Sequence, residues 1–246
     1  MLSELTLLQW ILVLSCAFIF GVSKAGVKGI AIIAIPLMAI GFGGKLSTGI
    51  VLPMLITGDI LAVWYYNRNA KWSLLLQLLP WVLIGVLFGV WLGKDLPELL
   101  FKQSMAWIIL ASVGLMIWWD RRKSNEVPTH WSFQVIMGLL VGFTTMVGNM
   151  AGAFANIFFL AMRLDKTTFI GTAAWLFFIV NLFKVPFHVF VWGTISWHTF
   201  QLNLALIPAI ILGFILGFKI IKLINEQFFR MMILILTAIG ALIILL

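Results

Sequence analysis

The sequence predicts an all-α polytopic membrane protein made of two inverted repeats, each of about five helical segments. Three observations predict it. Of the 246 residues, 63% are hydrophobic and only 10% charged, with mean hydropathy +1.15, and apolar runs of spanning length recur from end to end. Glycines and a few polar residues repeat at a nearly fixed offset between the two halves. Two apolar stretches are interrupted by glycine-rich breaks, Gly21–Gly29 and Val147–Gly152. Unwound backbone survives at membrane depth only where it faces protein or a watery cavity.

Taken in order, the first unit has segments at 5–22, 29–42, 46–66, 72–93 and 99–119. The first contains Val13-Leu14-Ser15-Cys16, faintly like a lipoprotein cleavage site. No basic residue precedes it, so it reads as a retained helix. Cys16 is the only cysteine, which excludes an intrachain disulfide. The polar run Asp120–Glu126 closes this unit. The second unit follows with segments at 131–147, 150–162, 167–191, 199–222 and 227–246. The segments at 29–42 and 150–162 are short for a span of about 20 residues, as expected for halves of re-entrant hairpins. The domain reading is therefore a repeat over 1–123 and another over 124–246, re-entrant breaks meeting near the midplane.

The matches that carry the duplication are Gly21 with Gly142, Gly29 with Gly152, Gly49 with Gly171, Asp59 with Asn181, Gly89 with Gly213, and Gly93 with Gly217; the offset stays between 121 and 124. An odd number of crossings per unit inverts the second relative to the first. Charge then orients the chain. One side receives Arg68, Lys71, Arg121, Arg122, Lys123, Arg163, Lys166, Lys219, Lys222 and Arg230; the other receives Lys45, Lys94 and Lys102. The richer side is expected in the cytoplasm, with both termini outside a plasma (inner) membrane. The net charge of +8 thus reflects topology, and no basic arm or RNA-binding signature points to nucleic acid. Trp10, Trp72, Trp118, Trp119, Trp131 and Trp197 read as interface anchors.

Lys24, Lys28 and Lys184 remain inside the membrane, where a cation is costly unless solvated or paired. The backbone following the breaks, near Gly29 and Gly152, would point free N–H groups at one meeting place that suits an anion. Expected binding residues are Lys24, Gly26, Lys28, Gly29, Thr48, Gly148, Asn149, Gly152, Thr172 and Asn181. Close helix packing is the alternative role for the glycines, and snorkelling the alternative for either lysine of the first break. Asp59 lies inside an apolar helix and is a coupling or gating candidate, or an ion-pair partner of Lys24 or Lys28 that only fixes the fold. Lys184 and His188 share a helical face with Asn181 and are further coupling candidates, although snorkelling to the outer interface is the favoured role for them. No metal constellation, phosphate loop, dinucleotide fingerprint or hydrolase elbow is present, so no cofactor is expected.

With Gly26-Val27-Lys28-Gly29 through Pro36-Leu37, Gly148-Asn149-Met150-Ala151-Gly152 through Leu160, and the small-residue starts Thr48-Gly49 and Gly171-Thr172, the chain resembles the sulfite exporter family of TauE/SafE-type membrane transporters over nearly its whole length. Members often carry three successive glycines at the break; Lys28 and Asn149-Met150-Ala151 depart from that. The resemblance implies a secondary transporter that exports or imports small sulfur-containing anions such as sulfite or organosulfonates. With no nucleophile–base or metal set, an enzyme is not expected; a proton or cation coupled through Asp59, the lipid bilayer and a second copy of the chain are the other expected partners. A non-transporting membrane assembly factor and, behind it, an intramembrane enzyme are the alternative functions.

Overall fold

Long apolar runs need every backbone polar group satisfied within the segment, and the chain meets this with helices throughout. The structure, a computed structural model, describes residues 5–121, 130–225, 227–229, 231–232 and 235. Its helices are α1 (Leu7–Lys24), α2 (Ala31–Phe42), α3 (Gly44–Tyr66), α4 (Trp72–Lys94), α5 (Glu98–Arg121), α6 (Trp131–Gly148), α7 (Ala151–Ala161), α8 (Lys166–Pro186) and α9 (Trp197–Leu223). No strand occurs among the described residues. Six helices there are long and apolar enough to cross a membrane: α1, α3, α4, α6, α8 and α9. Most of the segment expected at 227–246, and the boundary between the expected repeats, lie outside the described residues.

The two short helices cannot cross. With 12 and 11 residues at about 1.5 Å rise per residue, α2 and α7 are only about 16–18 Å long, against a hydrocarbon core of about 30 Å. Each follows a break that its local sequence dictates. Between α1 and α2 the chain turns on Gly26 (φ 128°) and Gly29 (φ 96°), conformations that an L side chain strains to adopt. Between α6 and α7 the turn residue is Asn149 (φ 56°), asparagine being the usual non-glycine occupant of the left-handed region. Asn149 N–H donates to the Thr145 carbonyl and Met150 N–H to Thr144, so the turn itself satisfies carbonyls in the last turn of α6. At the far end of α8, Pro186 is followed by a π-helical turn, Phe187–Val191.

Two close helix pairs frame the molecule. On α1, a Cβ at Gly21 would lie 2.1 Å from the Ile210 carbonyl oxygen of α9, and one at Gly213 2.1 Å from that of Phe18. On α6, a Cβ at Gly142 would lie 1.9 Å from the Val82 oxygen of α4, and one at Gly85 2.3 Å from that of Leu139. The same device thus joins the first segment of each half to the fourth of the other. Gly217 lies against the Val22 oxygen and Gly89 near that of Phe143. Sequence matching pairs Gly213 and Gly217 with Gly89 and Gly93, whereas the α4 glycines in the equivalent carbonyl contacts are Gly85 and Gly89. Pro80 and Pro208 share the spacing of Gly85 and Gly213. Glycine spacing of four residues permits either register; the carbonyl contacts decide between them.

Charges separate to two ends. The Lys45 ammonium donates to the Lys94 carbonyl, and Glu98 pairs with Lys102 and accepts from Gly44 N–H, capping α3. Lys166, Lys222 and Asn69 line a common hollow where α3 and α9 end and α8 begins.

Candidate functional site

The breaks bring a small cavity of about 50 Å³ into the interior, where one water occupies roughly 10–15 Å³. Lys24, Lys28 and Gly29 line it from the first break, and Thr145, Asn149 and Gly152 from the second. Asn181 and Phe177 close it from α8, and Ile32, Ile35 and Leu55 form apolar wall. Both short helices start here, and neither has a side-chain cap. Thr6, His130, Asp165 and Ser196 supply such caps to α1, α6, α8 and α9. The first turns of α2 and α7 thus turn uncapped, positive helix ends toward the same space.

A buried polar chain runs beside the cavity. Lys24 Nζ donates to Asp59 Oδ1 at 2.5 Å, and Asn181 Nδ2 donates to Asp59 Oδ2 at 2.7 Å. Lys184 Nζ donates to Asn149 Oδ1 at 2.5 Å, to Thr145 Oγ1 at 3.2 Å and to Asn181 Oδ1 at 3.5 Å. Asn149 Nδ2 in turn donates to the Thr48 carbonyl at 2.9 Å. Asp59 and Lys184 are both 0% exposed. Asp59 and Asn181, matched in the sequence comparison of the two halves, therefore meet directly.

Lys28 differs from its neighbours. It is 3% exposed, it lines the cavity, and no hydrogen bond or ion pair reaches its ammonium among the described residues. Its one polar contact is the face of Phe177, 5.6 Å from the ring centroid; Lys24 lies 4.9 Å from the same ring. Nearby, the Asn156 Oδ1 atom is buried without a hydrogen-bond partner. The interior among the described residues holds three lysines and one carboxylate, Lys24, Lys28, Lys184 and Asp59. With all four ionised, two positive charges remain uncompensated.

The chain belongs to the sulfite exporter TauE/SafE family. The model of that family matches residues 13–244, nearly the entire sequence. It is a family of membrane transporters, so the six apolar helices are those of a multi-pass membrane transporter and not of an enzyme. No curated protein and no solved structure matches the chain.

Other expected residues lie elsewhere. Thr172 donates to the Thr168 carbonyl and accepts from Lys71 N–H, tying α8 to the start of α4. The Thr48 hydroxyl donates to Lys45 in its own helix; only its carbonyl meets the site. Gly26 packs against Ile170 and Ile221, and Gly148 against Met150. Snorkelling is overturned for both Lys184 and His188, which are 0% exposed. Lys184 turns inward because Asn149 and Thr145 offer acceptors within reach. His188 bonds Thr194 at 2.8 Å through Nδ1, leaving Nε2 buried and unpartnered. Thr145, Asn156, Ser23 and Phe177 line the cavity unanticipated. Asn156 was findable, as an amide inside an apolar run.

Proposed function

We propose that the chain is a secondary transporter of small sulfur-containing oxyanions, with the cavity between the two breaks as its binding site. The observation that carries the reading is Lys28, a buried ammonium without a counter-ion, at a cavity faced by two uncapped helix starts. Such a cation is expensive alone, and a bound anion relieves the cost. Lys28, Gly29, Gly152 and the first turns of α2 and α7 hold the anion, and Asn156 and Asn181 orient its oxygens. Lys24 contributes field, its ammonium being already engaged by Asp59. The unpaired Lys28 and the two uncapped helix starts at the cavity favour a small oxyanion such as sulfite over a zwitterionic sulfonate, whose ammonium would meet only donors and cations there. The cavity's volume points the same way, since it suits an ion of a few heavy atoms.

Asp59 is the coupling group in this reading. Through Asn181 it links Lys24, beside the cavity, to Lys184. Protonation of Asp59 would release Lys24 toward the anion, and rebinding would withdraw it. The contact between Asp59 and Asn181, and the matching glycine contacts of α1 with α9 and of α6 with α4, support two inverted units, 1–123 and 124–246. The end holding Arg68, Lys71 and Lys166 is then cytoplasmic, in a plasma membrane, and the end holding Lys45 and Lys94 is external. Cysteines at Asn69 and Asp95, with Cys16 buried and inert, should label from opposite sides; same-side labelling contradicts the orientation.

The test of substrate class is a competition series on purified protein. Sulfite is expected to raise the unfolding temperature most, sulfate less, and taurine and chloride least. Equal stabilisation by all four, or none by sulfite, defeats the substrate reading.

A further inference from the structure

Away from the candidate anion cavity, α3 and α9 leave a groove on the outer surface. Leu61 and Trp64 on α3 face Ile211, Phe214 and Ile215 on α9 across a hollow of about 480 Å³. Several of these side chains are exposed, Trp64 by 77%, which in a membrane protein means that lipid is their solvent. Tyr65 and Phe218 meet edge to face at 4.4 Å and form the waist of the groove. Beyond the waist lies a second hollow of about 320 Å³, where Asn69, Thr167 and Lys166 join Tyr66, Ile170 and Ile221 in the lining, and Lys222 borders both hollows. Lys219 lines the first hollow near the same end.

The gradient along the groove is the informative feature. Its apolar length runs between two membrane-spanning helices, and its end is cationic. Lys219 and Lys222 are exposed, one helical turn apart on α9. Lys222 Nζ lies 4.0 Å over the Phe218 ring, which holds the ammonium at the waist. Lys166 donates to the Ile224 and Ile221 carbonyls, placing a third positive charge at the end of α9. The Asp165 carboxylate beside Lys166 accepts from the Thr167 hydroxyl and Thr168 N–H, and among the described residues no ion pair reaches Lys219 or Lys222. An aqueous anion would find the lysines but leave the groove empty. A neutral lipid would fill the groove but leave Lys219 and Lys222 unanswered. We infer that this groove is a binding site for one phospholipid with an anionic headgroup, its acyl chain lying between α3 and α9 and its phosphate held by Lys219 and Lys222.

The test uses the full chain purified in a neutral detergent, with lipid retention read by native mass spectrometry. Phosphatidylglycerol is expected to be retained at least tenfold better than phosphatidylcholine of the same acyl chains. Each lysine removed should cost about fivefold of that preference, so the Lys219→Gln/Lys222→Gln variant should lose it. Ile215→Trp, which fills the groove, should weaken retention of both lipids while the variant stays folded. The inference is overturned if the parent retains the two lipids equally, or if the double variant keeps the preference. Soluble glycerol phosphate displacing the lipid as well as short-chain phosphatidylglycerol does would also overturn it, reducing the site to a free-anion patch. A dimer in the parent that dissociates with Ile215→Trp would make the groove an interface between copies of the chain instead.

Discussion

Replacing Lys28 and Lys24 by glutamine, one at a time, should separate binding from folding. Both lysines are buried, in the same cavity wall, against the same phenylalanine. They differ in what the loss of charge leaves behind. Lys28→Gln removes an ammonium that has no counter-ion, so a desolvation cost goes with it and stability should hold or rise slightly. The anion, however, loses a charge-assisted hydrogen bond of roughly 1.5–3 kcal/mol, or roughly 10- to 150-fold in affinity. Lys24→Gln instead strips Asp59, 0% exposed, of its counter-ion, leaving neutral amides such as Asn181 to donate to it. An uncompensated buried charge costs about 3–5 kcal/mol, enough to show as a large fall in unfolding temperature or in yield. Titration calorimetry with sulfite and thermal unfolding on the same detergent-purified samples read both quantities. Unchanged sulfite affinity in a folded Lys28→Gln protein would refute the assignment of Lys28. Equal destabilisation by the two substitutions would refute the distinction between a paired and an unpaired lysine.

Asp59→Asn should be less stable than the parent, and Lys24→Gln/Asp59→Asn should recover most of that loss, since the pair is then removed together; proteoliposomes of the double variant should nonetheless show no dependence of transport on the pH gradient. Unaltered pH dependence would make Asp59 structural. Gly21→Ala and Gly142→Ala should each cost about 1–3 kcal/mol by overpacking, because the new methyl meets backbone oxygen at 2.1 and 1.9 Å, whereas Gly114→Ala, inside α5, meets nothing within 4 Å and should hold or slightly raise stability; equal unfolding temperatures for the three would contradict the helix contacts. Burial raises the Asp165 carboxyl, but hydrogen bonds from Thr167 and Thr168 outweigh it and hold the group at about 2. Its contribution to stability is therefore present above pH ~4 and lost as pH falls toward 2; the parent's unfolding temperature should drop more steeply over that window than that of Asp165→Asn, and parallel curves would show that the cap does not titrate with folding.

Much of the architecture is legible because a bilayer enforces it. Apolar length fixes the spanning helices, and the described helix limits fall within a few residues of those expected from sequence. The breaks are readable too, since glycines clustered with lysines do not suit a plain spanning segment. What sequence cannot supply is the direction of a long side chain. Lys184 near a helix end is compatible with snorkelling by length alone; the acceptors that turn it inward, Asn149 and Thr145, come from the other break and only the packing brings them near. Thr48 and Thr172 fail as cavity liners for the opposite reason, their hydroxyls being satisfied by carbonyls one turn back. The helical-turn shift between Gly89 and Gly85 belongs to the same class, because glycines spaced by four look alike until a carbonyl selects one.

The most direct test of the central claim is sulfite flux. The parent protein and Lys28→Gln are reconstituted at equal density into sealed liposomes, and entry of radiolabelled sulfite is followed against protein-free vesicles. The expected result is saturable flux in the parent that excess unlabelled sulfite suppresses, and a half-saturating concentration at least tenfold higher, or no measurable flux, in Lys28→Gln. Flux in the parent no greater than in empty vesicles, or flux identical in the two proteins, would contradict an anion path through the cavity at Lys28.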